Sequence, residues 1–252
     1  MSNAPRTIAP EGLKAPEYAR SWLEDRDSTV LNQGFTDEYL GLAWWDAALA
    51  ARGAEPLAWQ FDPLDRDGRR ITRRSLFAMA DMARDPVTVL PFIVHVLAWG
   101  SGSSRRYNNK RLDALTGGSA AGNLGLLAEA AEHASTGDAR SAYALLVRRG
   151  GGRIRGLGPA FFTKFLYFAG KAESEVPCLI LDARVAQRLH AAGWNDLPSS
   201  RSGTGRSYSY NWYTDTYVSY CGLLARWARE HGAGVQPDEF ERALFEGKER
   251  RP

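Results

Sequence analysis

The sequence predicts an all-α fold of roughly ten helices. Three observations carry this. Apolar residues recur at spacings of three and four in segment after segment. No run alternates β-branched and polar residues as a strand would. Helix-type punctuation, such as Thr36 before one periodic stretch and Gly150-Gly151-Gly152 after another, falls where those stretches end.

Residues 1–15 are rich in Pro and Ala and are expected to be loosely held, ahead of a single helical domain over 16–252. Pro16–Arg26 is predicted as a short helix with Tyr18, Trp22 and Leu23 on one side. Asp37–Arg52 follows, with Thr36 as its N-cap. Asp62-Pro-Leu-Asp65-Arg-Asp67-Gly68 lacks the register and closing glutamate of a calcium loop, and is expected to be a turn.

Thr72–Arg84 is amphipathic. Pro86–Trp99 is apolar almost all round and is expected at the centre, with His95 a satisfied core histidine. Gly100–Ser104 then breaks the chain before the basic segment Arg105–Arg111. Ser119–Ala134, Asp138–Arg149, Phe161–Ala169, Ala183–Ala192, Tyr208–His231 and Asp238–Glu246 complete the helices, with a Pro/Ser/Gly-rich loop over 195–206.

Composition excludes some classes and leaves others. A hydrophobic content of 44% with 24% charged residues is ordinary for a globular chain. A net charge of +3 does not by itself imply nucleic acid, but the basic residues cluster. Arg69, Arg70, Arg73 and Arg74 form one group; Arg105, Arg106, Lys110 and Arg111 a second; Arg148, Arg149, Arg153 and Arg155 a third. Such groups suit phosphate contacts as well as solvated helix faces. Two cysteines, Cys178 and Cys221, are too few for a disulfide scaffold or a cysteine-held metal cluster. His95, His133, His190 and His231 show no metal-site spacing. No apolar run approaches a bilayer span, so no membrane is expected and the cytoplasm is the expected compartment.

The chemistry concentrates between Arg153 and Leu189. Gly156-Leu157-Gly158 allows a tight turn and a close backbone approach, and Pro159 suits a first helical turn. The N–H groups of such a helix start, with the positive end of its dipole, form a phosphate site. Lys164 sits in the apolar run Phe161-Phe162-Thr163-Lys164-Phe165-Leu166, a setting lysine seldom occupies without a function. Asp182 follows Pro177–Leu181 and opens the next helix, as an N-cap would.

These pieces resemble the helix-hairpin-helix DNA glycosylases. That family carries L-P-G-V-G in the hairpin and an aspartate in a segment such as L-D-x-N-V. Here the matching residues are Arg155-Gly156-Leu157-Gly158 and Leu181-Asp182-Ala183-Arg184-Val185, and the second is most similar to the 8-oxoguanine branch. The match spans about the forty residues from 150 to 190.

The resemblance implies excision of an oxidised purine from double-stranded DNA. Asp182 would be the essential carboxylate, the hairpin residues would hold the DNA backbone, and a monovalent cation would sit on the hairpin carbonyls. Breaking an N-glycosidic bond builds positive charge on the sugar, which a nearby carboxylate stabilises. Bifunctional members place a Schiff-base lysine two residues after G-x-G, where this chain has Ala160. Lys164 lies one helical turn further on, about 5–6 Å away along the same face, and is the candidate amine; water oriented by Asp182 is the alternative nucleophile. A non-catalytic binding module that kept the hairpin is the other class of reading.

An extruded base is held between aromatic faces. Trp99, Trp212, Tyr213 and Tyr217 are the candidates, with Gln60, Asn108 and Asn109 as partners for a base edge. A cytoplasmic, nucleoid-associated monomer is the expectation that accompanies these.

Overall fold

The structure is a computed structural model and describes residues 7–24, 30–148, 151–202, 205–208, 212–232 and 234–246. It is mostly helical, with twelve α-helices among the described residues. Helix α1 is Glu17–Glu24. A 3-10 turn at Val30–Asn32 leads into strand β1, Gly34–Thr36, and then α2, Asp37–Leu40, and α3, Leu42–Ala50. Thr36 caps α2, its hydroxyl accepting from the Tyr39 N–H. The expected single helix over 37–52 is split, because Gly41 takes the left-handed conformation (φ 58°) that ends one helix and opens the next.

Strand β2, Arg70–Thr72, pairs antiparallel with β1, Phe35 opposite Ile71. The pairing is too short to leave an alternating pattern, and escaped the sequence for that reason. Helix α4, Arg73–Ala78, starts from a capping box of Thr72 and Ser75 and gives way to a 3-10 turn, Ala80–Arg84. Helix α5, Val89–Ser101, is buried along nearly its whole length, as its apolar sequence predicts. Its His95 is a satisfied core histidine, bonded to the Pro91 carbonyl (2.7 Å) and to the Gln60 N–H (3.0 Å).

Helix α6, Asn108–Thr116, is an addition to the expected set; its low apolar content hid it. Helices α7, Ala120–Ser135, and α8, Ala139–Leu146, pack against each other, α8 capped by Asp138. Strands β3, Val147–Arg148, and β4, Gly151–Gly152, form a short hairpin before α9, Pro159–Ala169. Helix α10 is Ala183–Ala191. The loop expected over 195–206 contains a second hairpin, β5 (Ser199–Ser202) with β6 (Gly205–Tyr208). Helices α11, Thr214–His231, and α12, Pro237–Glu246, close the chain.

One apolar core runs through these elements, with α9 fully inside it through Phe162, Phe165, Leu166 and Phe168. Residues 7–15 are not loosely held. The Ala9 N–H donates to Ser219 Oγ at 2.8 Å, and Arg226 and Trp227 of α11 both donate to the Leu13 carbonyl, each at 2.8 Å. Residues 1–6 lie outside the described residues. Among the described residues no helix is long and apolar enough to cross a membrane.

Candidate active site

Six parts of the chain meet at one cavity of about 140 Å³. It is lined by Gln33 and Phe35 beside β1, Arg73 of α4, Trp99 and Gly100 of α5, Lys164 of α9, Ile180 and Asp182 before α10, and Glu241 and Phe245 of α12. A wider cavity of about 370 Å³ shares Gln33, Phe35 and Phe245. The lining is the composition expected of a binding site, aromatic walls with a few convergent polar groups. Trp99 lies 6.0 Å from the ring of Phe35 and edge-on to Phe168.

Lys164 reaches this cavity by pointing back along its helix, as helical side chains do. Its Nζ donates to the Ala160 carbonyl at 2.7 Å. Gly100 gives the stem room, since a Cβ there would sit 2.8 Å from Lys164 Cδ. Burial holds the amine below the ordinary lysine range. The Arg73 and Arg111 guanidinium groups push the same way, while Asp182 and Glu241 oppose them.

Asp182 both caps α10 and faces the cavity. Its Oδ1 accepts from the Arg184 and Val185 N–H groups, each at 2.9 Å. Those bonds fix the carboxylate at the N-terminal end of α10. The extended segment before it is pinned from behind: Leu179 exchanges bonds with Tyr217 Oη, the Ile180 carbonyl accepts from Tyr220 Oη at 2.7 Å, and the Leu181 N–H donates to Thr163 Oγ1 at 3.0 Å.

That arrangement corrects part of the expected base pocket. Trp99 lines the cavity; Trp212, Tyr213 and Tyr217 do not. Trp212 is fully buried against Trp194 and Tyr220, and its carbonyl accepts from Tyr143 Oη at 2.8 Å. Tyr217 is fully buried and stacked on Tyr143 at 4.1 Å. Tyr213 is 40% exposed at the start of α11. The aromatic face of α11 is core, and its Tyr217 and Tyr220 hold the segment that leads to Asp182. Asn108 is buried among Ser101, Ser104 and Arg111, Asn109 is bonded to Arg52, and Gln60 lies off the cavity.

No local pattern in the chain links Arg73 and Glu241. They lie 168 residues apart, yet form a fully buried pair at 2.8 Å. Arg73 also bonds Gln33 and Tyr167, and Tyr167 Oη donates to Asp238 at 2.7 Å. This removes Arg73 from the expected phosphate cluster. Its neighbours are engaged as well: Arg69 with Asp37 and Glu38, Arg70 with the Gly34 carbonyl, Arg74 with Asp62. Among the described residues no group of three His, Cys, Asp or Glu could hold a metal ion.

The second and third basic groups flank the hairpin. Arg153, Arg155 and Gly156 are exposed, as is Arg148, whereas the Leu157 side chain is in the core and its N–H donates to the Ile154 carbonyl. Arg149 lies outside the described residues. Tyr107, 49% exposed, has Arg106 and Lys110 over its ring.

No curated protein and no solved structure matches the chain. A family model does, that of "Putative 8-oxoguanine DNA glycosylase OGG-like protein", over residues 28–245. That match takes in β1, α4, α5, the hairpin, α9, Asp182 and Phe245, so every wall of the cavity lies within it. The chain belongs to this OGG-like family.

Proposed function

We propose that the chain is a DNA glycosylase that removes an oxidised purine of the 8-oxoguanine type from double-stranded DNA, acting as a monomer. The observation that carries the reading is that Lys164 and Asp182 line one aromatic-walled cavity. Phe35, Trp99 and Phe245 offer faces for a planar base, while Gln33, Arg73 and Glu241 offer polar atoms to its edge. A phosphate-binding helix start beside exposed Arg153 and Arg155 suits the DNA backbone.

In this reading the neutral Lys164 amine attacks C1′ of the lesion nucleotide. The glycosidic bond breaks, its electron pair leaves on the base, and the base takes up a proton. The Asp182 carboxylate stabilises the positive charge that develops on the sugar. Loss of the amine protons and opening of the sugar ring give an imine, from which strand cleavage by elimination follows. The depressed basicity of Lys164 suits this role, because only the neutral amine is nucleophilic.

Tyr107 supports the duplex as the form bound. An exposed ring with two cations beside it, on a left-handed backbone (φ 63°) that L-residues avoid, suits insertion among bases where one has been withdrawn.

The test is borohydride trapping on a duplex carrying one 8-oxoguanine, beside an undamaged duplex. A covalent, lesion-dependent adduct is expected. An alkali-labile site with no adduct would replace Lys164 by water as nucleophile. Duplex binding with neither product would favour the non-catalytic binding module.

A further inference from the structure

Resemblance to the helix-hairpin-helix enzymes implies a monovalent cation on the hairpin carbonyls, and the residues of this hairpin do not fit one. A cation site needs several carbonyl oxygens that converge, each with a lone pair open to the ion. Here the Gly156 carbonyl accepts from Arg111 Nε at 3.0 Å. The Ile154 carbonyl accepts from the Leu157 N–H at 3.0 Å. The Gly158 carbonyl accepts from the N–H groups of Phe161 and Phe162, at 2.9 and 3.0 Å. The Leu157 carbonyl is packed on Gly152, so closely that a Cβ built there would lie 1.8 Å from its oxygen.

The Arg111 guanidinium is itself a fixed cation. It is 7% exposed, lies 3.6 Å from the centre of the Phe161 ring, and donates also to the Arg106 carbonyl at 3.2 Å and to Asn108 Oδ1. A second cation on the same carbonyls would meet like charge at close range in a partly dry setting.

We propose that Arg111 takes the place of the alkali-metal ion. Its guanidinium fixes the Gly156 carbonyl, at a glycine held at φ 81°, and ties the hairpin to the basic loop that ends in Tyr107. A planar group with five donors can bond one hairpin carbonyl and two acceptors of the neighbouring segment at once, which joins the two. The hairpin is therefore ordered by the protein alone, and its grip on DNA is indifferent to which monovalent cation is present. Arg111 is a positioning residue, and its effect on DNA rests on the glycosylase reading above.

The test has a DNA-free arm and a DNA arm. Crystals soaked in rubidium or thallium salts should show no anomalous peak at coordination distance from the Gly156 or Leu157 carbonyl. Amide exchange over residues 154–158 should be equal in potassium, sodium and N-methylglucamine chlorides at one ionic strength. It should speed up at least tenfold in Arg111→Ala, with Arg111→Lys intermediate. A peak on those carbonyls, or protection that depends on the alkali ion, overturns the proposal, as does unchanged protection in a folded Arg111→Ala. Should that variant not fold, the soak and the salt series on the parent protein still decide.

In the second arm, duplex affinity is expected to match between potassium and N-methylglucamine at fixed ionic strength, and a loss of fivefold or more without potassium counts against Arg111. Absence of duplex binding in every salt would sink the glycosylase reading and leave the DNA-free arm to judge Arg111.

Discussion

Lys164 Nζ and the Ala160 carbonyl are 2.7 Å apart, so the lysine amine lies one turn back from its own Cα, beside the residue where the bifunctional glycosylases carry theirs. The helix geometry makes this possible: residues four apart share a face, and side chains lean towards the N-terminus. Lys164→Ala is expected to abolish the borohydride-trapped adduct while leaving duplex affinity within about threefold, read by anisotropy. Because burial lowers the amine's pKa, the trapping rate should rise with pH and level off at a midpoint below the ordinary ~10.4 of lysine. A midpoint at or above that value would show that the amine is solvated.

Asp182 caps α10, and one substitution can separate that role from the catalytic one proposed for it. Asn caps a helix as well as Asp does, so Asp182→Asn should keep the bonds to Arg184 and Val185 and alter stability by only a few tenths of a kcal/mol. Excision should fall about 10²–10⁴-fold, the range for a positioned catalytic group. Asp182→Ala should lose excision and about 0.5–2 kcal/mol of stability as well. Equal activity in the Asn variant and the parent would reduce Asp182 to a cap.

Tyr107 provides a prediction about substrate form. Tyr107→Asn suits the left-handed backbone, so melting should be unchanged or higher. Single-turnover excision from duplex should nevertheless drop severalfold, with excision from the same lesion in single-stranded DNA unaffected. Equal losses on both substrates would remove Tyr107 from base extrusion.

His95 sets an acid limit. Its Nε2 accepts from the Gln60 N–H, which requires the neutral ring, and burial pushes its pKa down to about 4. With the folded value below the unfolded ~6.5, the unfolded state binds more protons between those two pH values. Stability is therefore complete above about 6.5 and declines by about 3 kcal/mol as pH falls to about 4. His95→Gln should flatten that slope in urea titrations. A slope unchanged by the substitution would assign the loss to other groups.

Arg73 and Glu241 should be worth more as a pair than either is alone. Glu241→Ala leaves a buried guanidinium without its carboxylate, at a cost of about 3–5 kcal/mol. For a chain of this size that lowers Tm by about 10 °C. Arg73→Met with Glu241→Met should lose much less, because neither charge is then stranded. A double variant as unstable as the single one would argue against charge as the cause.

Much of this was legible in the chain. Pro159 and Asp182 declare helix boundaries, the one by a ring that fits the first helical turn and the other by a side chain that caps it, and Val89–Trp99 declares its burial by having no polar face. Local periodicity also placed Lys164 one turn from Ala160. Three short strand pairs and helix α6 were not legible, since two- to four-residue pairings and a helix rich in Asn, Lys and Arg lack the apolar period on which such a reading depends.

The aromatic helix shows where the limit falls. Tyr213 and Tyr217 are as suitable for a base pocket as Trp99 by composition and spacing, yet Tyr217 holds Leu179 from behind and Trp99 faces the cavity. The sequence by itself determined the helical class, the glycine turn before α9 and the positions of Lys164 and Asp182 on their helices, because each of these is encoded within a turn or two of backbone. Only the tertiary structure decided which aromatics wall the cavity, that Arg73 meets Glu241 there, and that Arg111 occupies the hairpin carbonyl. Those are contacts between residues 45 to 168 positions apart, fixed by how the helices pack and not by any local pattern.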